Sequence, residues 1–169
     1  VEIGPDDTAM FQYSGGTTGV SKAAVAMHRN VVANTLQIKS WMSGLLEEGN
    51  EVVLMAIPLF HVYGMVAGMH FAMACGASMV MVPNARDLKD VLDNLSKFKA
   101  TIFPGVPALY NGINNHPDVK AGKYNLSSIK ACISGSAPLM RETKEEFERL
   151  TGGKLFEAYG LSEAPTGTH

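Results

Sequence analysis

Between residues 52 and 83 the chain carries no Asp, Glu, Lys or Arg. A charge-free run of that length either crosses a bilayer or lies buried inside an α/β core. The interruptions favour burial: Pro58, His61, Gly64, Gly68, His70 and Gly76 divide the run into three pieces. VVLMAI is short and β-branched at its start, VYGMVAGMHFAMACG is longer and helix-like, and SMVMV is short again, which reads as strand, helix, strand. A membrane span is the rival reading, because Gly64 and Gly68 form a GxxxG pair; partition of the chain into detergent would favour it.

The same alternation continues on both sides. Residues 9–13 and 23–27 read as short strands joined by a Gly/Thr/Ser-rich loop. A helix follows from Asn30, a usable N-cap, towards Leu46, with Leu36, Ile38, Trp41, Met42 and Leu45 on its apolar side. In DLKDVLDNLSKF, Leu88, Val91, Leu92, Leu95 and Phe98 fall at helical spacing, and residues 100–103 read as a buried strand ended by Pro104 and Gly105. The spacing then predicts a helix after Pro107, a strand over 129–133, a helix opening at Pro138 and closing at Gly152 and Gly153, and a last strand over 154–157. The succession predicts an α/β fold, a mostly parallel layered sheet with flanking helices, whose ligands sit at the carboxyl ends of the strands. The loops 14–22, 58–64, 135–139 and 159–163 are therefore the informative ones.

Composition narrows the function. With 169 residues, 14 Lys and Arg against 16 Asp and Glu, and a net charge of −2, the chain has the makings of one packed domain and no basic stripe for nucleic acid. A small-molecule partner is expected. Cys75 and Cys132 stand far apart, without metal-ligand spacing, which fits a reducing compartment and a cytoplasmic location. Val1 is not an initiator Met, no signal peptide is visible, and AYGLSEAPTGTH ends without a closing helix, so residues 1–169 read as a single unit cut from a longer protein. There is no GxSxG elbow, HExxH, EF-hand loop or post-strand GxGxxG.

Taken singly, the four loops leave two readings each. YSGGTTGVSK, residues 13–22, has the glycines, hydroxyls and Lys22 of a phosphate cradle, yet it lacks the Walker spacing and reads equally as a hairpin tip. His61 in an apolar stretch reads as a hydrogen-bonded core histidine. GSAPL, residues 135–139, reads as the entry to a helix, Tyr159 as a core aromatic, and Glu163 as a solvated carboxylate.

The strings together break the tie. YSGGTTGVSK with AAVAMHRNVVAN, then PLFHVYGM at 58–65, then EAYGLSEAP at 157–165 resemble the three core motifs of the adenylate-forming (AMP-binding) enzymes, in family order and over nearly the whole chain, and are most similar to those of long-chain fatty-acid CoA ligases. The resemblance implies roles residue by residue. Ser14, Gly15, Gly16, Thr17, Thr18, Gly19 and Lys22 would wrap the ATP β- and γ-phosphates, and Ser162 would contact the α-phosphate. Gly135, Ser136 and Ala137 would lie along the adenine, with Tyr159 stacked on it. His61, Tyr63, Gly64 and Gly160 would border the acyl pocket, and Met65 stands beside them. Glu163 would hold Mg2+, and His61, Lys22 and Glu163 would be the catalytic set. Two departures are visible: Ala23 follows Lys22 where the family has glycine, and Ser136 replaces the commoner second glycine.

The implied reaction joins a fatty acid to CoA through an acyl-adenylate, with ATP and Mg2+ as cofactors, CoA as co-substrate, and AMP and pyrophosphate released. Aryl or short-chain acyl ligases of the same family, and a non-catalytic nucleotide-binding or scaffolding module, are the alternatives. The implied partners are a fatty acid or other carboxylate, with no transmembrane segment and peripheral membrane association open. The family's small C-terminal lid domain has no counterpart in residues 1–169, so the isolated fragment is expected to be inactive and to self-associate through uncovered surface.

Overall fold

A computed structural model describes residues 1–14 and 22–169, without the side chain of Ser14. The charge-free run forms strand, helix, strand as its pattern predicts: β3 (Val52–Met55), a π-helical segment (Tyr63–His70) that continues as α2 (Phe71–Ala74), and β4 (Ser78–Met81). Among the described residues no helix is long and apolar enough to cross a membrane. After α3 (Leu88–Lys97) come β5 (Ile102–Gly105), α4 (Pro107–Asn115), the short α5 (Pro117–Lys120), β6 (Ala131–Ser134), α6 (Arg141–Thr151) and β7 (Lys154–Glu157). These five strands make one parallel sheet in the order β4-β3-β5-β6-β7. The order reverses between β3 and β5, and a crevice opens at the carboxyl ends of β6 and β7 beside the segment after β3.

Alternate residues of each strand serve the two faces. Leu54, Phe103, Cys132 and Leu155 pack with Val91, Leu92, Leu95, Tyr110, Ile113 and Phe147 of α3, α4 and α6. Val53, Met55, Ile102, Ala131 and Ile133 pack on the opposite face with Met42, Tyr63, Ala67, Phe71 and Ala72. The result is a sheet between two helical layers. At the amino ends of the strands, opposite the crevice, the buried Glu51 carboxylate accepts from Lys130 Nζ at 3.0 Å and from Glu47 N–H at 2.6 Å, tying the approaches to β3 and β6 together.

Ahead of the sheet, β1 (Thr8–Ser14) and β2 (Lys22–Met27) form an antiparallel hairpin leading into α1 (His28–Trp41). The helix begins two residues before the expected Asn30 cap. His28 N–H donates to Asp7 O and Arg29 N–H to Pro5 O, so the preceding segment satisfies the first-turn donors. Asn30 instead sits inside the first turn and accepts from Met27 N–H at 2.9 Å. The helix stops at Trp41, and a 3-10 turn over Ser43–Leu45 replaces its expected last turn.

Three further boundaries differ from the sequence reading. β5 includes Pro104 and Gly105 instead of ending before them: it stays in register with β6 over all four residues, whereas pairing with β3 is confined to Val53 and Ile102, so a residue without N–H is tolerated on the side where the ladder stops. β6 starts at Ala131, and α6 starts at Arg141, three residues beyond Pro138. The last loop contains a small antiparallel hairpin, β8 (Gly160–Leu161) and β9 (Thr166–Gly167).

Candidate active site

The carboxyl ends of β6 and β7, the segment after β3, and the inner face of α1 enclose a cavity of about 700 Å³. The chain leaving β6 brings Gly135 and Ser136 to its wall, and the chain leaving β7 brings Ala158, Tyr159, Gly160, Leu161 and Ser162. His61 and Tyr63 enter from the segment after β3. Seven residues singled out in the sequence thus meet at one hollow: His61, Tyr63, Gly135, Ser136, Tyr159, Gly160 and Ser162.

His61, Tyr63 and Tyr159 are held by identifiable contacts. His61 Nδ1 accepts from Tyr63 N–H at 3.1 Å, so the neutral ring carries its proton on Nε2 and offers a donor there. The Tyr63 hydroxyl is shared between Ile133 O at 2.8 Å and Gly105 O at 3.1 Å. Burial pushes its phenol far up, outweighing the opposing hydrogen bond to Gly105, so it stays a proton donor. A side chain on Gly135 would stand 3.2 Å from the Tyr63 ring, so glycine keeps this part of the wall open. Tyr159 is exposed at the rim, its ring 6.2 Å from that of His169.

Other expected residues lie elsewhere. Gly64 is buried behind the wall, where a Cβ would run into the Pro58 carbonyl oxygen. Ala137 is exposed beyond the lining. Glu163 is exposed and follows the last lining residue of its loop, Ser162. Lys22 is exposed at the start of β2, in register with Ser14. Gly15, Gly16, Thr17, Thr18 and Gly19 lie outside the described residues, as does the Ser14 side chain. Among the described residues no three His, Cys, Asp or Glu side chains gather to hold a metal. Magnesium commonly needs only one or two protein carboxylates beside nucleotide phosphates, and Glu163 is a donor of that kind.

Ser136 has φ +69°, a left-handed conformation at a non-glycine residue. This conformation costs an L-residue roughly 1–2 kcal/mol, of which glycine's extra unfolded-state freedom offsets part. Ser136→Gly is therefore expected to raise the unfolding free energy by about 0.5–1 kcal/mol, measured by urea denaturation; a loss of stability would show that the hydroxyl makes a contact worth more than the strain.

One wall was given no role by the resemblance, although the first matching string ends on its first residue, Asn34. Asn34, Gln37, Ile38 and Trp41 face the cavity from α1, at the i, i+3, i+4, i+7 spacing of one helical stripe. That periodicity was the available signal, but Ile38 and Trp41 read equally as ordinary packing. Thr166, Gly167, Thr168 and His169 complete the lining from β9 onwards.

The AMP-binding enzyme family matches residues 1–169. The chain belongs to that family. It is 46% identical over 169 residues to a long-chain-fatty-acid–CoA ligase of Bacillus subtilis, covering 99% of this chain and 30% of the relative. A long-chain-fatty-acid–CoA ligase of Escherichia coli O6:H1 is 34% identical over 162 residues, covering 96% and 28% respectively. The crystal structure of ATP-bound MatB from Rhodopseudomonas palustris superposes with a TM-score of 0.83 at 29% identity, covering 99% of this chain and 32% of that one. The chain thus spans about 30% of the length of the curated relatives it matches.

Proposed function

We propose that residues 1–169 form a single AMP-binding unit that supplies the nucleotide- and acyl-binding core of an AMP-forming long-chain fatty-acid CoA ligase. The observation carrying this reading is the convergence of His61, Gly135, Ser136, Tyr159, Gly160 and Ser162 on one cavity; the 46% identical long-chain ligase supports the substrate class. In the proposed reaction a fatty-acid carboxylate oxygen attacks the α-phosphorus of ATP, and pyrophosphate leaves. The CoA thiol, losing its proton, then attacks the acyl carbon, and the C–O bond to AMP breaks. Adenylation comes first because a carboxylate resists nucleophiles until its oxygen becomes part of a phosphate leaving group.

The residues divide that work. Gly135 and Ser136 admit the adenine close to the backbone, and Tyr159 stacks on it. The His61 Nε2–H orients the carboxylate, and Tyr63 with Gly160 borders the acyl group. Gly64 backs that border from behind the wall, and Ala137 continues the adenine segment beyond the lining. Lys22, with Ser14 and the hydroxyls and N–H groups of residues 15–19, draws charge off the departing pyrophosphate, and Ser162 contacts the α-phosphate. Glu163 holds Mg2+, which when bound neutralises phosphate charge. A cytoplasmic location fits the free Cys75 and Cys132, both buried.

Titrating MgATP into the protein expressed from its own gene tests the reading. Lys22→Ala is expected to weaken ATP about tenfold, the loss of one charge-assisted hydrogen bond. No ATP binding by the unaltered protein, or unchanged affinity in Lys22→Ala, would refute the assignment.

A further inference from the structure

We infer that Asn34 is a positioning residue: from α1 it clasps Gly167 and so fixes the 159–162 wall of the cavity, a role that rests on the function proposed above. Asn34 Nδ2 donates to Gly167 O at 2.6 Å, and Gly167 N–H donates to Asn34 Oδ1 at 3.1 Å. The side-chain amide thus pairs with a backbone residue as a neighbouring strand would. A contact from Nδ2 to Gln37 Oε1 at 3.2 Å holds the amide in this orientation.

The clasp reaches the wall through very few bonds. Gly167 pairs with Gly160 in the β8–β9 hairpin. One residue on, Thr168 donates to Tyr159 O from its N–H at 2.9 Å and from its hydroxyl at 3.2 Å, and Tyr159 N–H donates to His169 O at 3.0 Å. Tyr159, Gly160 and Ser162 therefore lie in or beside a hairpin whose hydrogen-bonded tie to α1, among the described residues, is Asn34. Removing that amide leaves both polar groups of Gly167 facing the cavity and frees the hairpin to swing, which misplaces the groups that grip a nucleotide.

Hydrogen exchange and a double-mutant cycle test this. In Asn34→Ala without nucleotide, amide exchange over residues 159–169 is expected to quicken about tenfold, while β6 is unchanged. MgATP is expected to bind about fivefold more weakly to Asn34→Ala and about tenfold more weakly to Tyr159→Ala, with the double variant well short of the fully additive loss of about fiftyfold, because Asn34 acts in part through Tyr159. Unchanged exchange, or fully additive penalties, would overturn the proposal. If the unaltered protein binds no ATP, the proposed function falls while the exchange measurement still decides the clasp. Asn34→Asp keeps the acceptor for Gly167 N–H but turns an oxygen towards Gly167 O; it serves where the alanine variant fails to fold, with the same exchange result expected.

Discussion

Tyr110→Ala is expected to lower the unfolding free energy by about 5 kcal/mol. The ring is fully buried on the face covered by α3, α4 and α6, packed edge-on against Phe103 at 5.5 Å and Phe147 at 4.9 Å. Its hydroxyl lies 2.8 Å from Phe103 O and 2.7 Å from Ile133 O. Alanine would leave a large void and withdraw the donor from both carbonyls. Tyr110→Phe separates these effects: it keeps the ring, removes only the donor, and is expected to cost about 1–2 kcal/mol. Urea unfolding with an unchanged m-value gives both numbers. Equal losses in the two variants would mean that the ring's packing contributes little.

In the protein expressed from its own gene, Gly160→Ala is expected to reduce ATP-dependent pyrophosphate release about a hundredfold, as a shift of about 1 Å at a reacting site does. A Cβ at Gly160 would overlap the carbonyl oxygen of Thr166, its neighbour across the β8–β9 hairpin. Backbone cannot rotate away as a flexible side chain would, so the hairpin must open, carrying Tyr159 and Ser162 with it. The expected signature is a fall in kcat/KM with little change in global melting, because the overlap is confined to a two-residue ladder that is separate from the five-stranded sheet. Activity within a few-fold of the parent would show that this close approach does not govern the site.

Most of the sheet was legible because burial on both faces writes itself as uncharged, β-branched runs, and because the helices between carry strong 3.6-residue patterns, as at Leu88, Val91, Leu92 and Leu95. The boundaries that moved did so for tertiary reasons. Asp7 and Pro5 supply acceptors for the start of α1 that no local rule foresees, and Pro104 fits inside a strand because β3 has already parted from β5. The site followed a similar division. The motif loops pointed to the walls at Gly135, Tyr159 and His61 only through their combined resemblance to the three core motifs, since each taken singly read equally as a helix entry, a core aromatic or a core histidine. Asn34 and Gln37 escaped because a polar residue on an amphipathic helix looks the same whether it faces water or a cavity. Gly64 was read as a pocket residue, yet what demands glycine there is the Pro58 backbone pressed against the π-helix.

The Ile133 carbonyl lies within reach of two phenols, Tyr63 from the cavity layer at 2.8 Å and Tyr110 from the opposite layer at 2.7 Å. The end of β6 is therefore pinned from above and below at a single oxygen. The two halves of the interior cannot be redesigned independently: trimming Tyr63 to enlarge the ligand chamber also slackens the back of the molecule, and a substitution beneath the sheet alters the floor on which a bound molecule would rest.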